Sequence, residues 1–183
     1  ALLPILHADE AQALDLANSA IHAFPELFQS HWLSVMRAKL GLAEYDPEDS
    51  RLIEALLDWM KQTEADFTQT FKSLTNEAAL ESPPFVDETF QAWHAQWKAR
   101  RERGSCPPLQ CLALMQAHNP VVIPRNHKVE EALAAASEQN DLNPLHRLLA
   151  ALAHPFDQDG PIPAEFTEPA PTSDTPYQTY CGT

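Results

Sequence analysis

Glycine is scarce in this chain, and its scarcity limits the possible backbone more than any other feature. The four glycines, Gly41, Gly104, Gly160 and Gly182, lie far apart in 183 residues. Loops that cradle phosphate need clustered glycines, because the backbone must approach the ligand closely. The sequence therefore excludes a P-loop, a dinucleotide fingerprint, a kinase glycine loop and a Gly-x-Ser-x-Gly nucleophile elbow. We predict no catalytic, cofactor-binding or metal-binding residue within this chain.

Apolar residues recur at helical spacing through the first 155 residues, which predicts an all-α fold. Asp9 is the expected N-cap of the first long helix, with Gln12 at the capping-box position. Pro25 is expected to break this helix and to begin the next one, which would end at Gly41 in a left-handed conformation. The apolar stripes of these two helices are Leu14, Ala17, Ile21 and Phe24, then Leu27, Phe28, Trp32, Val35, Met36 and Leu40.

Further helices are predicted to start at Asp46-Pro47, at Asp66, after Ser82-Pro83-Pro84 and at Pro107-Pro108, with two more around 129–137 and 145–153. The segment 119–124 is expected to be extended and is the one candidate strand. Six of the sixteen prolines fall after residue 154. We therefore predict a multi-helix, orthogonal or bundle-like domain over 1–154 and an extended Pro-rich tail over 155–183.

The net charge of −14 argues against binding to nucleic acid and to anionic membranes, since both need clustered cations. No apolar run approaches the roughly 20 residues that span a bilayer. Cys106, Cys111 and Cys181 are too few, and odd in number, for a disulfide framework, which suits a reducing compartment. We expect a cytoplasmic, bacterial protein.

Three further groups of residues are candidate sites. Cys106 and Cys111 lie near His94 and His118, which are zinc-ligand types, but the spacing does not match a zinc knuckle and we favour structural cysteines. Trp93 and Trp97 are one helical turn apart and are expected in the core, like Trp32 and Trp59. The acidic trio Asp46, Glu48 and Asp49 is better explained by a helix N-terminus than by a cation site.

A basic cluster interrupts the acidic background at Lys98, Arg100, Arg101 and Arg103. We favour the interpretation that these cations lie in the last turn of a helix, where they complement the helix dipole. The alternative is a docking patch for an acidic partner or domain.

Several short strings occur in an order that resembles the C-terminal region of the SelO (YdiU) family. They are Arg37-Ala38-Lys39-Leu40-Gly41-Leu42, Asp66-Phe67-Thr68-Gln69-Thr70-Phe71, Asn119-Pro120 with Arg125-Asn126, Val129-Glu130-Glu131-Ala132-Leu133, Leu148-Leu149 through His154-Pro155-Phe156-Asp157, and Cys181-Gly182-Thr183. His127 stands where the family usually has an aromatic residue.

The resemblance implies a whole protein with a kinase-like fold that transfers AMP from ATP to protein hydroxyl groups, using Mg²⁺ or Mn²⁺. The family's nucleotide and catalytic motifs lie in its N-terminal part and are missing from this sequence. The chain would then be a helical accessory region whose partner is that kinase-like domain. Other proteins would be substrates of the whole protein. Cys181 matches a position that is selenocysteine in many eukaryotic relatives, so the resemblance implies a possible redox role for it.

Three hypotheses make different predictions. An accessory region, which the apolar start at Ala1-Leu2-Leu3 suggests is a fragment, should expose an apolar patch where the missing domain packs. A free-standing helical protein-interaction module should be a monomer with a polar surface. A small hydrolase with a hidden site should cluster Ser, His and acidic side chains in a pocket.

Overall fold

A computed structural model of the chain describes residues 2–158 and 160–170. This part of the chain is built from helices joined by irregular segments and contains no strand, which confirms the all-α prediction. The helices are α1 Leu3–Leu6, α2 Glu10–Lys39, α3 Asp49–Thr63, α4 Phe67–Ser73, α5 Glu88–Arg103, α6 Pro108–His118, α7 Asn126–Gln139, α8 Asn143–Leu152 and α9 Ala164–Thr167, with a 3₁₀ helix at Glu77–Glu81. None of the helices in the described ranges is long and apolar enough to cross a bilayer.

Local capping chemistry sets several helix starts as predicted. The Asp9 carboxylate accepts from the backbone N–H of Gln12 at 2.9 Å, and Asp66 accepts from Gln69 at 2.8 Å. Gly41 has φ +69° just beyond α2, as expected for a left-handed helix end. The candidate strand over 119–124 is irregular coil.

The predicted break at Pro25 is wrong, because α2 continues through it for 30 residues. Proline removes one backbone hydrogen bond from a helix, but its fixed φ is itself helical. No glycine or capping residue follows directly, and Glu26 and Leu27 favour helix, so the chain resumes its hydrogen bonding after the ring.

The predicted helix start at Asp46-Pro47 is also displaced, and α3 begins at Asp49. The Asp46 side chain accepts from the N–H of Glu48, two residues on, at 2.9 Å, and this bond closes an Asx turn. The Asp49 side chain in turn accepts from the N–H of Asp46 at 3.0 Å. These two bonds hold Pro47 and Glu48 in a turn before the helix starts.

The main core lies between the C-terminal part of α2 and helices α3 to α6. Three tryptophans anchor it, each through its indole N–H: Trp59 donates to Asp87 at 2.8 Å, Trp93 to the Leu52 carbonyl at 2.8 Å and Trp97 to the Leu40 carbonyl at 2.9 Å. All three are buried, and Trp32 packs against them partly exposed. The prediction that the tryptophans serve the core is confirmed.

A second, smaller core lies under the hairpin of α7 and α8. Its buried residues are Val121, Val122, Ala132, Leu148 and Phe166. Phe166 comes from α9, a single helical turn inside the predicted tail, and the N–H of Val121 donates to the Pro155 carbonyl at 2.7 Å. The described part of the tail is therefore packed against the hairpin.

Candidate functional site

The outstanding surface feature is the apolar side of α2. Every residue from 18 to 31 is exposed. Ile21 is 67% exposed, Phe24 63% and Phe28 56%, and Leu14 and Val35 are about half exposed at the two ends. We call Leu14, Ile21, Phe24, Phe28 and Val35 the α2 apolar face.

The spacing of these residues is that of a helix that packs against another surface. Leu14, Ile21, Phe28 and Val35 follow one another every seven residues, which is two helical turns. Phe24 lies between them, and its ring stacks on that of Phe28 with centroids 5.9 Å apart. The side chains therefore form one continuous stripe along the helix.

Charge is also nearly absent around this helix. Between Ala11 and Met36 the only charged residues are Asp15 and Glu26. A solvent-exposed helix normally carries many charged residues, whereas one that lacks them on most sides is typical of a buried element. Exposed apolar patches of this extent on a monomer mark interaction surfaces.

Two members of the acidic trio, Asp46 and Asp49, pair with the basic cluster, whereas Glu48 pairs with Arg51. Asp49 is 0% exposed, and its carboxylate accepts from Arg100 Nε at 2.8 Å and from Arg100 Nη2 at 3.3 Å. Arg37 Nε lies 3.0 Å from Asp49 Oδ2 and forms an ion pair with it without an aligned hydrogen bond. Arg100 Nη2 also donates to the Glu44 carbonyl at 2.7 Å. This network joins α2, α3 and α5 and is structural.

The other members of the basic cluster also find partners within the chain. Lys98 pairs with Glu77 at 3.2 Å, and Arg103 lies 3.6 Å from Asp46. The Arg101 guanidinium lies over the Trp97 ring, 4.8 Å from its centroid. Arg100, Arg101 and Arg103 occupy the last turn of α5, as the favoured interpretation predicts. The pairing leaves little free positive charge for an acidic partner.

The four candidate zinc ligands do not converge. His94 stacks on Phe90 and packs at a tilt against Trp97, and the pKa of its imidazole is lowered by burial and by the nearby Lys98. The Nδ1 atom of His118 lies 2.8 Å from the Leu114 carbonyl. Over residues 2–158 and 160–170, no three His, Cys, Asp or Glu side chains are grouped to hold a metal ion.

The cysteines divide into two groups. Cys106 and Cys111 are free thiols at the start of α6, with Cys111 Sγ 3.4 Å from the Cys106 carbonyl oxygen. Cys181, the candidate redox residue, lies outside the residues that the structure describes.

A cleft of about 370 Å³ beside Asp49 is lined by arginines and carboxylates with neither serine nor histidine, so it gives the hydrolase hypothesis no support.

Comparison with known proteins identifies the class first. The chain is similar over its whole length to bacterial proteins named protein nucleotidyltransferase YdiU, at 46% identity in Syntrophotalea carbinolica, 43% in Nitrosococcus oceani and 44% in Brevibacillus brevis. More particularly, residues 5–153 match the family model for protein adenylyltransferase SelO, and the chain belongs to that family. It spans about 37% of the length of these curated relatives.

Proposed function

We propose that this chain is the C-terminal helical region of a SelO-type protein adenylyltransferase and packs against the kinase-like part of the same protein. The observation that carries the proposal is the α2 apolar face, exposed in a chain that spans about 37% of its relatives' length. The remaining part of such a protein is the partner that would cover this face.

The energetics of the α2 apolar face favour such docking. Full burial of a large apolar side chain contributes about 1.5–3 kcal/mol relative to full exposure, so burying five that are about half exposed contributes about 5 kcal/mol. The helix that carries them continues into the main core, where Met36 and Leu40 are buried. A domain docked on the face would thereby be fixed in orientation relative to helices α3 to α6.

The chemistry of AMP transfer is assigned to the remainder of the protein. Four isolated glycines cannot form a phosphate loop, and the network around Asp49 uses its carboxylate to satisfy Arg37 and Arg100. We propose that ATP and Mg²⁺ or Mn²⁺ bind the kinase-like part and that protein substrates receive AMP there. We place the whole protein in the bacterial cytoplasm. A redox role for Cys181 remains a prediction.

The test compares charge substitutions on opposite sides of α2. In the whole protein, Phe28→Glu should place a carboxylate in the docked interface, reduce AMP transfer to a protein substrate and lower the unfolding temperature. Ser19→Glu is the matched control, because Ser19 is exposed on the opposite side of the helix, which already carries Asp15 and Glu26, and it should leave both unchanged. In the 183-residue chain alone, both substitutions should leave the urea midpoint unchanged.

Other outcomes would contradict the proposal. Full activity and stability of the whole protein carrying Phe28→Glu would show that the α2 apolar face does not dock there. The 183-residue chain and the whole protein could both form dimers that Phe28→Glu dissociates. That result would assign the α2 apolar face to a second copy of the chain. Micromolar ATP binding by the isolated chain would overturn the assignment of nucleotide chemistry to the remainder.

A further inference from the structure

The start of α6 holds two thiols in a defined arrangement. Pro107 is the N-cap of this helix, so Cys106 is the residue before the cap and Cys111 is the fourth helical residue. These two positions form the hydrophobic staple of a helix start, in which the side chains fold over the first turn and touch. The backbone N–H of Cys111 donates to the Pro107 carbonyl at 3.0 Å, which fixes this geometry.

The two cysteines lie close together as a result. Cys111 Sγ is 3.4 Å from the Cys106 carbonyl oxygen. Cys106 Sγ in turn lies 3.7 Å from the Pro107 carbonyl oxygen. The Cys111 side chain beside it is the main cause that raises the pKa of the Cys106 thiol, while the nearby Arg101 acts in the opposite direction. Both cysteines therefore lie at the first turn of α6, beside the same cleft.

Accessibility distinguishes the two cysteines. Cys106 is partly exposed, whereas Cys111 is only 3% exposed. A cleft of about 460 Å³ is lined by both of them and by two cations and two carboxylates, Lys98, Arg101, Glu77 and Glu102. A small disulfide molecule can reach Cys106 through this cleft, whereas the low exposure of Cys111 limits direct attack by its thiol.

We propose that Cys106 and Cys111 are a thiol-exchange site that forms a reversible disulfide with a low-molecular-weight disulfide as oxidant. The Cys106 thiolate, after loss of its proton to solvent, attacks one sulfur of the oxidant and releases one small thiolate. The Cys111 thiolate then attacks the Cys106 sulfur and releases the second. The oxidant gains two electrons, and the protein thiols lose two electrons and two protons.

The exchange site is independent of the proposed function, because it needs neither the α2 apolar face nor a docked domain. The disulfide would close the ring from residue 106 to 111 across the first turn of α6. The next turns of α6 pack on the end of α2, where a Cβ atom on Gly41 would lie 3.0 Å from the Cys111 carbonyl oxygen. The bond would therefore form beside the junction of α2 and α6.

The sequence allows a direct test by mass spectrometry. Trypsin cuts after Arg103 and next after Arg125, so one peptide contains Cys106 and Cys111 and no other cysteine. The chain with Cys181→Ser is incubated with mixtures of oxidised and reduced glutathione, alkylated under native and denaturing conditions, and digested. We expect the peptide to become lighter by two hydrogen atoms and to lose both alkylation labels, and dithiothreitol to restore them.

Single variants test the order of the steps. With Cys111→Ala, Cys106 should keep one glutathione adduct, because no second thiol resolves it. With Cys106→Ala, Cys111 should stay free of glutathione in the folded chain and become labelled only after unfolding. Full alkylation of both cysteines at every glutathione ratio, or a stable glutathione adduct on Cys106 while Cys111 is present, would overturn the proposal. Circular dichroism of each variant shows that the fold is kept.

Discussion

Replacing Arg100 with methionine should destabilise the chain far more than the same replacement at Arg51. Both arginines lie on helices and both pair with carboxylates. Arg100 is buried against Asp49, which is 0% exposed, whereas Arg51 and Glu48 are 80% and 65% exposed. Methionine keeps most of the apolar stem in each case, so the comparison isolates the loss of the charge.

The size of the effect follows from burial. Removing one partner of a buried ion pair costs about 3–5 kcal/mol, because the other charge is left without compensation. Asp49 keeps Arg37 Nε at 3.0 Å, which places Arg100→Met at the lower end, about 3 kcal/mol. Exposed pairs contribute about 0–1 kcal/mol, so Arg51→Met should fall in that range.

Urea unfolding followed by tryptophan fluorescence measures both values. With a slope of about 2 kcal/mol per molar urea, Arg100→Met should lower the midpoint by about 1.5 M and Arg51→Met by less than about 0.5 M. A double-mutant cycle with Asp49→Asn should show strong coupling to Arg100, so that the double variant loses less than the sum of the single losses. Equal midpoints for the two methionine variants, or additive losses in the cycle, would refute the reasoning.

Two further predictions concern His94 and Gly41. The lowered pKa of His94, due to burial and then to Lys98, means that unfolding takes up a proton below its ordinary value of 6.5, so stability falls as pH drops through that value towards the folded pKa. His94→Phe keeps the ring contacts with Phe90 and Trp97 and removes the titrating group. The urea midpoint of this variant should therefore depend less on pH between about pH 7.5 and pH 5.5, and an unchanged pH dependence of the midpoint would contradict this. Gly41→Ala should cost at least about 1–2 kcal/mol, because φ is +69° and the new Cβ would meet the Cys111 carbonyl, whereas Gly104→Ala at φ −77° should cost much less by thermal unfolding.

Sequence reasoning succeeded where the chemistry is local. Asp9 and Asp66 were identified as caps because the cap and its backbone donor are only three residues apart. Pro25 was misjudged because a general rule for proline does not weigh the helix-forming residues on both sides. Asp49 and Arg100 could not be paired in advance, since 51 residues separate them and only the packing of α3 on α5 brings them together.

The candidate surfaces divide in the same way. The seven-residue spacing of Ile21 and Phe28 is visible in the sequence, but their exposure depends on tertiary contacts that spacing does not report. The thiol pair was accessible to sequence reasoning and was missed. Cys106 directly precedes Pro107-Pro108 and Cys111 follows Pro108 by three residues, which are the two staple positions of a helix start. From the sequence we considered this spacing only for a zinc knuckle.

The separation of the two cores has a consequence for how the fold opens. Polar bonds join them: Arg125 binds Asp66 at 2.5 and 3.0 Å, and Gln69 donates to the Thr167 carbonyl at 2.7 Å. Polar links of this kind exchange readily for water, whereas apolar burial within each core does not. We therefore expect the hairpin of α7 and α8 with α9 to detach as one unit in sub-global openings while the tryptophan core stays closed.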